Sequence, residues 1–120
     1  MSMFKSLGHL LLAGIFISGG TNTFMSPESR AVKVAKAGIP NPKGAAMLNG
    51  ATMVVAGTAL ACDFAPKLAA TVLIGTLIPT TFVGHPFWTE SDPANRSAQR
   101  IHFLKNVSLL GGLLLVLAEK

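Results

Sequence analysis

Four residues have the types and spacing for proton or ligand chemistry: His85, Gln99, His102 and Asn106. Gln99, His102 and Asn106 stand at i, i+3 and i+7, so on a helix they make one polar stripe. His85 closes the preceding apolar segment, which places two imidazoles at one level of a membrane. That pair suits a quinone headgroup, with an imidazole near its ordinary pKa of about 6.5 giving or taking the proton. A pair of haem ligands is a second chemistry open to it. The alternative that requires no ligand is that both histidines bond to backbone or lipid headgroups.

The neighbouring residues read more simply. Phe87 and Trp88 stand at the water boundary of a span, where aromatic belts anchor membrane proteins. Arg96 and Arg100 are expected to offer Glu90 and Asp92 simpler, salt-bridge partners, and paired acid–base work would need a cleft that drives their pKa values apart. Cys62 is the single cysteine, which excludes an internal disulfide or a C-x-x-C motif. The Asp63 charge beside it disfavours a thiolate. There is no G-x-S-x-G, Walker loop or H-E-x-x-H, so no catalytic residue and no metal site is assigned.

The elements that must position these residues are apolar. Half of the 120 residues are hydrophobic and 12% are charged, against roughly a quarter charged in soluble domains. A water-soluble chain this small would need more polar surface, so the class is membrane. The net charge of +5 is scattered through the connections, without the basic patch and interleaved aromatics of a nucleic-acid binder. Nucleic acid is therefore excluded as a partner, and anionic lipid is favoured.

One domain over 1–120 is expected, with spans at about 7–25, 44–62, 64–83 and 99–118. Lys5 before the run Leu10 to Ile17 resembles the start of a secretory signal, but no clear small-x-small site follows, so the segment is expected to be retained as the first span. Gly14, Ser18 and Asn22 share one face of that span, suited to close helix approach. Ser26 reads as the N-cap of a short helix ending at Gly38, with Pro27 in its first position. In that helix Arg30, Lys33 and Lys36 fall within about 120° of arc opposite Ala31, Val34, Ala35 and Ile39, which describes a basic amphipathic helix lying on the membrane surface. In the second span Asn49, Thr52, Ala56 and Ala59 form a stripe expected to face other helices. Asp63 is expected to cap the third span. Pro79 inside it frees the carbonyl of Gly75, with Thr76, Thr80 or Thr81 available to satisfy freed groups. The last span must recruit Ile101 to Asn106 to be long enough, with Lys105 snorkelling.

The fold class is thus all-α, a four-helix transmembrane bundle with a short interfacial amphipathic helix between the first and second spans. Seven Lys and Arg lie in the two long connections and three on the opposite side, so the positive-inside rule puts both termini outside.

Several blocks together resemble the DoxX family of small bacterial membrane proteins. They are Ile15-Phe16-Ile17-Ser18-Gly19-Gly20, Lys36-Ala37-Gly38-Ile39-Pro40, the Gly-rich second span, Gly84-His85-Pro86-Phe87-Trp88, and Phe103-Leu104-Lys105-Asn106 running into Leu109-Leu110-Gly111-Gly112. The resemblance extends over nearly the whole chain, and the last two blocks carry it most specifically. It implies a multi-pass protein of the bacterial cytoplasmic membrane, in a family associated with respiratory thiosulfate and quinone chemistry and with oxidative-stress complexes. Many relatives carry a basic residue early in the first span and an acidic one in the second, where this chain has Gly8-His9 and Asn49.

Three functions are compatible with these residues. The first is a non-catalytic membrane subunit that docks soluble redox partners through its basic helix and the Trp88 loop. The second is a quinone-binding oxidoreductase subunit using His85, His102, Asn106 and Gln99. The third is a small-solute transporter, which would need a polar path through Asn22, Asn49 and Thr71 and a homo-oligomer to enclose it.

Overall fold

The computed structural model describes residues 2–120. Five helices follow one another: α1 (Met3–Met25), α2 (Glu28–Lys36), α3 (Pro42–Ala61), α4 (Pro66–Gly84) and α5 (Pro93–Leu117), with a 3-10 turn at Phe87–Thr89 before α5. All but α2 are long and apolar enough to cross a membrane. They run up and down, so residues 2–6, the turn after α3 and the end of α5 share one end, the termini end. The helix α2 and the 3-10 turn occupy the other, the loop end. The longest dimension is 46 Å, close to a bilayer with its headgroups, about 40–45 Å.

The α1–α3 interface is the most extensive in the bundle. Gly20 and Gly50 make it possible: a Cβ on Gly20 would lie 2.6 Å from the Gly50 carbonyl oxygen, and one on Gly50 would lie 2.7 Å from that of Gly20. Each glycine therefore points a hydrogen at the other's carbonyl, a close approach stabilised by dispersion and weak Cα–H···O contacts. The expected face is displaced. Gly14, Ser18 and Asn22 are exposed, because the helix turns Ala13, Phe16, Gly20 and Thr23 inward instead. Around Phe16, the residues Leu60, Leu73, Leu77 and Leu113 build the core.

α1 and α5 touch only lightly. They meet where Leu12 covers Gly112, and between there and the loop end both helices line one cavity. This divergence creates the candidate site.

Several boundaries differ from expectation for local reasons. Ser26 ends α1, its N–H bonded to the Asn22 carbonyl at 2.9 Å, and Pro27 rather than Ser26 precedes α2. Pro27 has no N–H to continue the first helix and disfavours helical geometry in the residue before it, so the chain breaks there. Gly38 takes a positive φ of 80°, as helix C-termini favour, and closes α2 where expected. Asp63 does not cap α4. It adopts φ 55°, Ala65 takes φ 43°, and the tight turn sends the Asp63 carboxylate under α1. Asp tolerates the left-handed region better than most residues. α5 begins at Pro93, six residues before the expected Gln99, because Asp92 accepts the Asn95 N–H at 3.2 Å and Pro93 suits the first position.

Candidate functional site

The cavity has a volume of about 400 Å³ and lies among all five helices at the loop end. Pockets for small molecules run from about 300 to 1,000 Å³. Ile15, Phe16, Met53, Leu77 and Leu109 give it an apolar wall, and Arg30, Lys33, Lys105 and His85 a polar one. Asn49 and Asn106 also line it, and Asn106 is buried. Asn49 Nδ2 donates to Thr80 Oγ1 at 2.8 Å, and the Thr80 hydroxyl donates to the Thr76 carbonyl at 2.7 Å. The hydroxyls of Thr76 and Thr81 turn to Leu73 and Leu77. None of the three therefore serves the Gly75 carbonyl next to Pro79; Thr80 instead joins α3 to α4.

α2 is the helix expected on the membrane surface, and it packs on α3 and α4 with a different face. Arg30 and Lys33 are half-buried over the cavity, whereas Val32, Ala35 and Lys36 are exposed. Lys33 Nζ donates to the Gly84 carbonyl at 2.6 Å, at the negative end of the α4 dipole. Arg30 reaches the Asn22 amide, whose oxygen, turned toward the guanidinium, accepts at 3.2 and 3.3 Å. These two dipolar partners draw Arg30 and Lys33 inward beside the half-buried Ala31 and Val34, while Lys36 stays exposed, so the amphipathic helix is present but rotated about its axis.

The four residues first singled out are split. His85 and Asn106 line the cavity, while Gln99 and His102 do not. His85 Nδ1 donates to Gln99 Oε1 at 2.7 Å, and the ring stacks on His102 with centroids 5.0 Å apart and planes at 20°. His102 is exposed. Stacked imidazoles present faces rather than nitrogens to each other, so in this arrangement they are not paired axial ligands of one iron. The transporter residues are also dispersed. Asn22 meets Arg30, Asn49 meets Thr80, and Thr71 is exposed with its hydroxyl on the Lys67 carbonyl.

Phe87 and Trp88 belong to a four-ring cluster centred on Phe103, whose centroid lies 5.3 Å from Phe87, 5.7 Å from Trp88 and 5.7 Å from Phe82. Edge-to-face pairs of this kind contribute about 0.5–1.5 kcal/mol each beyond area burial. The cluster fastens the 3-10 turn to α4 and α5. Phe103→Ala should destabilise by about 2 kcal/mol, the half-buried position reducing the full core value. Because Trp88 is the only tryptophan, its emission should shift to the red in the variant, and an unchanged spectrum would mean that the rings do not hold the turn.

A second constellation, at the termini end, escaped the sequence reading. His9 is 1% exposed and lies between two carboxylates, with Nδ1 2.5 Å from Asp63 Oδ1 and Nε2 2.8 Å from Glu119 Oε1. Ser6 Oγ donates to Asp63 Oδ2 at 2.7 Å. Ionised carboxylates only accept, so two hydrogen bonds from one ring require a proton on each nitrogen, as in an imidazolium. The Asp63 carboxyl is held below the usual carboxylate range by the bond from His9 and next by that from Ser6. The signal was available in the span count: in an up-and-down bundle, residues 6 to 9, the turn at 63 and residue 119 fall on one side. The acids that meet His9 of α1 come from the turn after α3 and the end of α5 rather than from position 49.

Four long apolar helices in up-and-down order, with a cavity among them, define a multi-pass membrane protein. The DoxX family pattern matches residues 5–86, about two thirds of the chain and its first three spans. The chain belongs to the DoxX family. The match ends at Pro86, so α5 and its Phe103-Leu104-Lys105-Asn106 block lie beyond the matched residues. No curated protein and no solved structure matches the chain.

Proposed function

We propose that this chain is a non-catalytic subunit of the bacterial cytoplasmic membrane that holds an acidic soluble partner of a redox or oxidative-stress complex at its loop end. The observation that supports this reading is the surface there. Lys36, Arg96, Arg100 and Trp88 are all exposed, and the loop end carries seven Lys and Arg against three carboxylates. The aromatic cluster fastens Trp88 and its 3-10 turn to α4 and α5, and a side chain already held in place loses less entropy on docking. A surface of one sign steers and retains partners of the other.

The test is Lys36→Glu combined with Arg96→Glu and Arg100→Glu, three exposed positions outside the cavity. Recovery of an oxidoreductase partner from mild detergent should fall by about tenfold or more. Undiminished recovery sinks the docking reading. The quinone alternative has one observation in its favour, that His85 and Asn106 both line the cavity. It loses Gln99, engaged by His85, and His102, which faces outward. If His85→Ala abolished quinone reduction in membranes while the protein still assembled, the non-catalytic reading would fall.

A further inference from the structure

The cavity contains a charge imbalance that docking does not use. Arg30, Lys33 and Lys105 all line it, and no Asp or Glu does. Among the described residues the ion pairs are those of His9, at the opposite end. The expected pairs of Glu90 and Asp92 with Arg96 and Arg100 do not form, Asp92 accepting the Asn95 N–H instead. Lys33 and Arg30 are met by neutral dipoles, the Gly84 carbonyl and the Asn22 amide, which orient a cation without cancelling its charge. Three like charges beside a low-dielectric wall repel one another, and a bound anion relieves that repulsion. The remaining wall of Ile15, Phe16, Met53, Leu77 and Leu109 is aliphatic or aromatic and accepts hydrocarbon.

We propose that the cavity is a binding site for an anionic lipid, a phosphate or carboxylate head held by Arg30, Lys33 and Lys105 with its chain along the apolar wall. Basic pockets between membrane helices bind anionic headgroups for this reason. The head lies at the polar wall formed by Arg30 and Lys33 of α2 and Lys105 of α5, so the lipid fills the space that the divergence of α1 and α5 leaves. His85 and Asn106 add polar groups at the same wall. A neutral quinone would leave the three cations uncompensated. The inference is independent of any soluble partner, because the exposed Lys36, Arg96 and Arg100 do not line the cavity.

The experiment titrates detergent-solubilised full chain with oleate, dioleoyl phosphatidate, dioleoyl phosphatidylcholine, inorganic phosphate or decylubiquinone, and reads bound adducts by native mass spectrometry. Oleate and phosphatidate should bind, with affinity falling about fivefold for each cation removed and about 25-fold in Lys33→Gln/Lys105→Gln. Lys36→Gln/Arg96→Gln removes equal charge from the exposed surface and should leave affinity unchanged. Equal binding of phosphatidylcholine, or equal loss in this second variant, would reduce the effect to surface adsorption and overturn the proposal. Inorganic phosphate binding as tightly as the lipids would identify a free-anion site without a chain subsite. Decylubiquinone binding in preference to both anionic lipids would hand the cavity to the quinone reading.

Discussion

Gly20→Ala is expected to destabilise the bundle by about 3 kcal/mol, at the upper end of the usual overpacking range. The added methyl would lie 2.6 Å from a backbone oxygen and 2.9 Å from Met53 Cβ. Neither atom belongs to the far end of a flexible side chain, so α1 and α3 must separate along their whole contact. Gly14→Ala is the opposing control. Nothing lies within 4 Å of a Cβ there, and exchanging a helical glycine for alanine stabilises by roughly 0.5–1 kcal/mol. Two glycines six positions apart on one helix should thus give effects of opposite sign in thermal or denaturant unfolding in detergent. Equal effects would show that the α1–α3 contact is not formed through Gly20.

His9→Ala should follow closely. Removing one member of a buried ion pair costs about 3–5 kcal/mol because the other charge is left unpaired. Asp63 and Glu119 are 26% and 20% exposed, and water reaching them lowers the expected loss to about 2 kcal/mol. The substitution should release the end of α5, seen as faster proteolysis near Glu119. In a background already carrying Asp63→Ala and Glu119→Ala the same change should cost much less, since the partners are gone. Additive losses would mean that the three side chains do not act together. The pH dependence has a defined sign. The folded-state pKa of Asp63 lies below its unfolded value, so its contribution is complete above the ordinary carboxylate value of about 4 and is lost as pH falls through the lowered one. Unfolding temperatures measured downward from pH 6 should therefore drop more steeply below about pH 4 in the wild type than in Asp63→Asn.

Much of the architecture was legible before any coordinates. Hydropathy and length identified four spans, because a bilayer imposes a minimum apolar length on any helix that crosses it. Pro27, Gly38 and Pro40 marked a short helix between the first two, because proline and glycine act on the backbone locally. The family blocks before residue 87 pointed to DoxX, as the matched residues agree.

The rotation of each helix was less accessible. In lipid an apolar residue is equally acceptable outward or inward, so periodicity does not tell the buried face from the exposed one. That is why Gly14, Ser18 and Asn22 were given the interface that belongs to Gly20 and Gly50. The same ambiguity hid how far α2 is rotated about its axis, although its Ala31 and Val34 are half-buried as their apolar character requires. A basic stripe reads as solvated or headgroup-facing, and only the Gly84 carbonyl and the Asn22 amide, brought from α4 and α1, explain why Arg30 and Lys33 face inward.

The chemistry divides along the same line. The sequence by itself determined that His85, Asn106 and the cations of the loops lie at one end of a membrane bundle, since span order alone fixes the end on which a residue falls. Tertiary structure decided which of them meet. It separated His102 and Gln99 from the cavity, placed three cations around it without a carboxylate, and joined His9 to Asp63 and Glu119 across 54 and 110 positions of chain. Such contacts depend on how far two helices diverge and how each is turned about its axis, and those quantities come from packing the whole bundle at once.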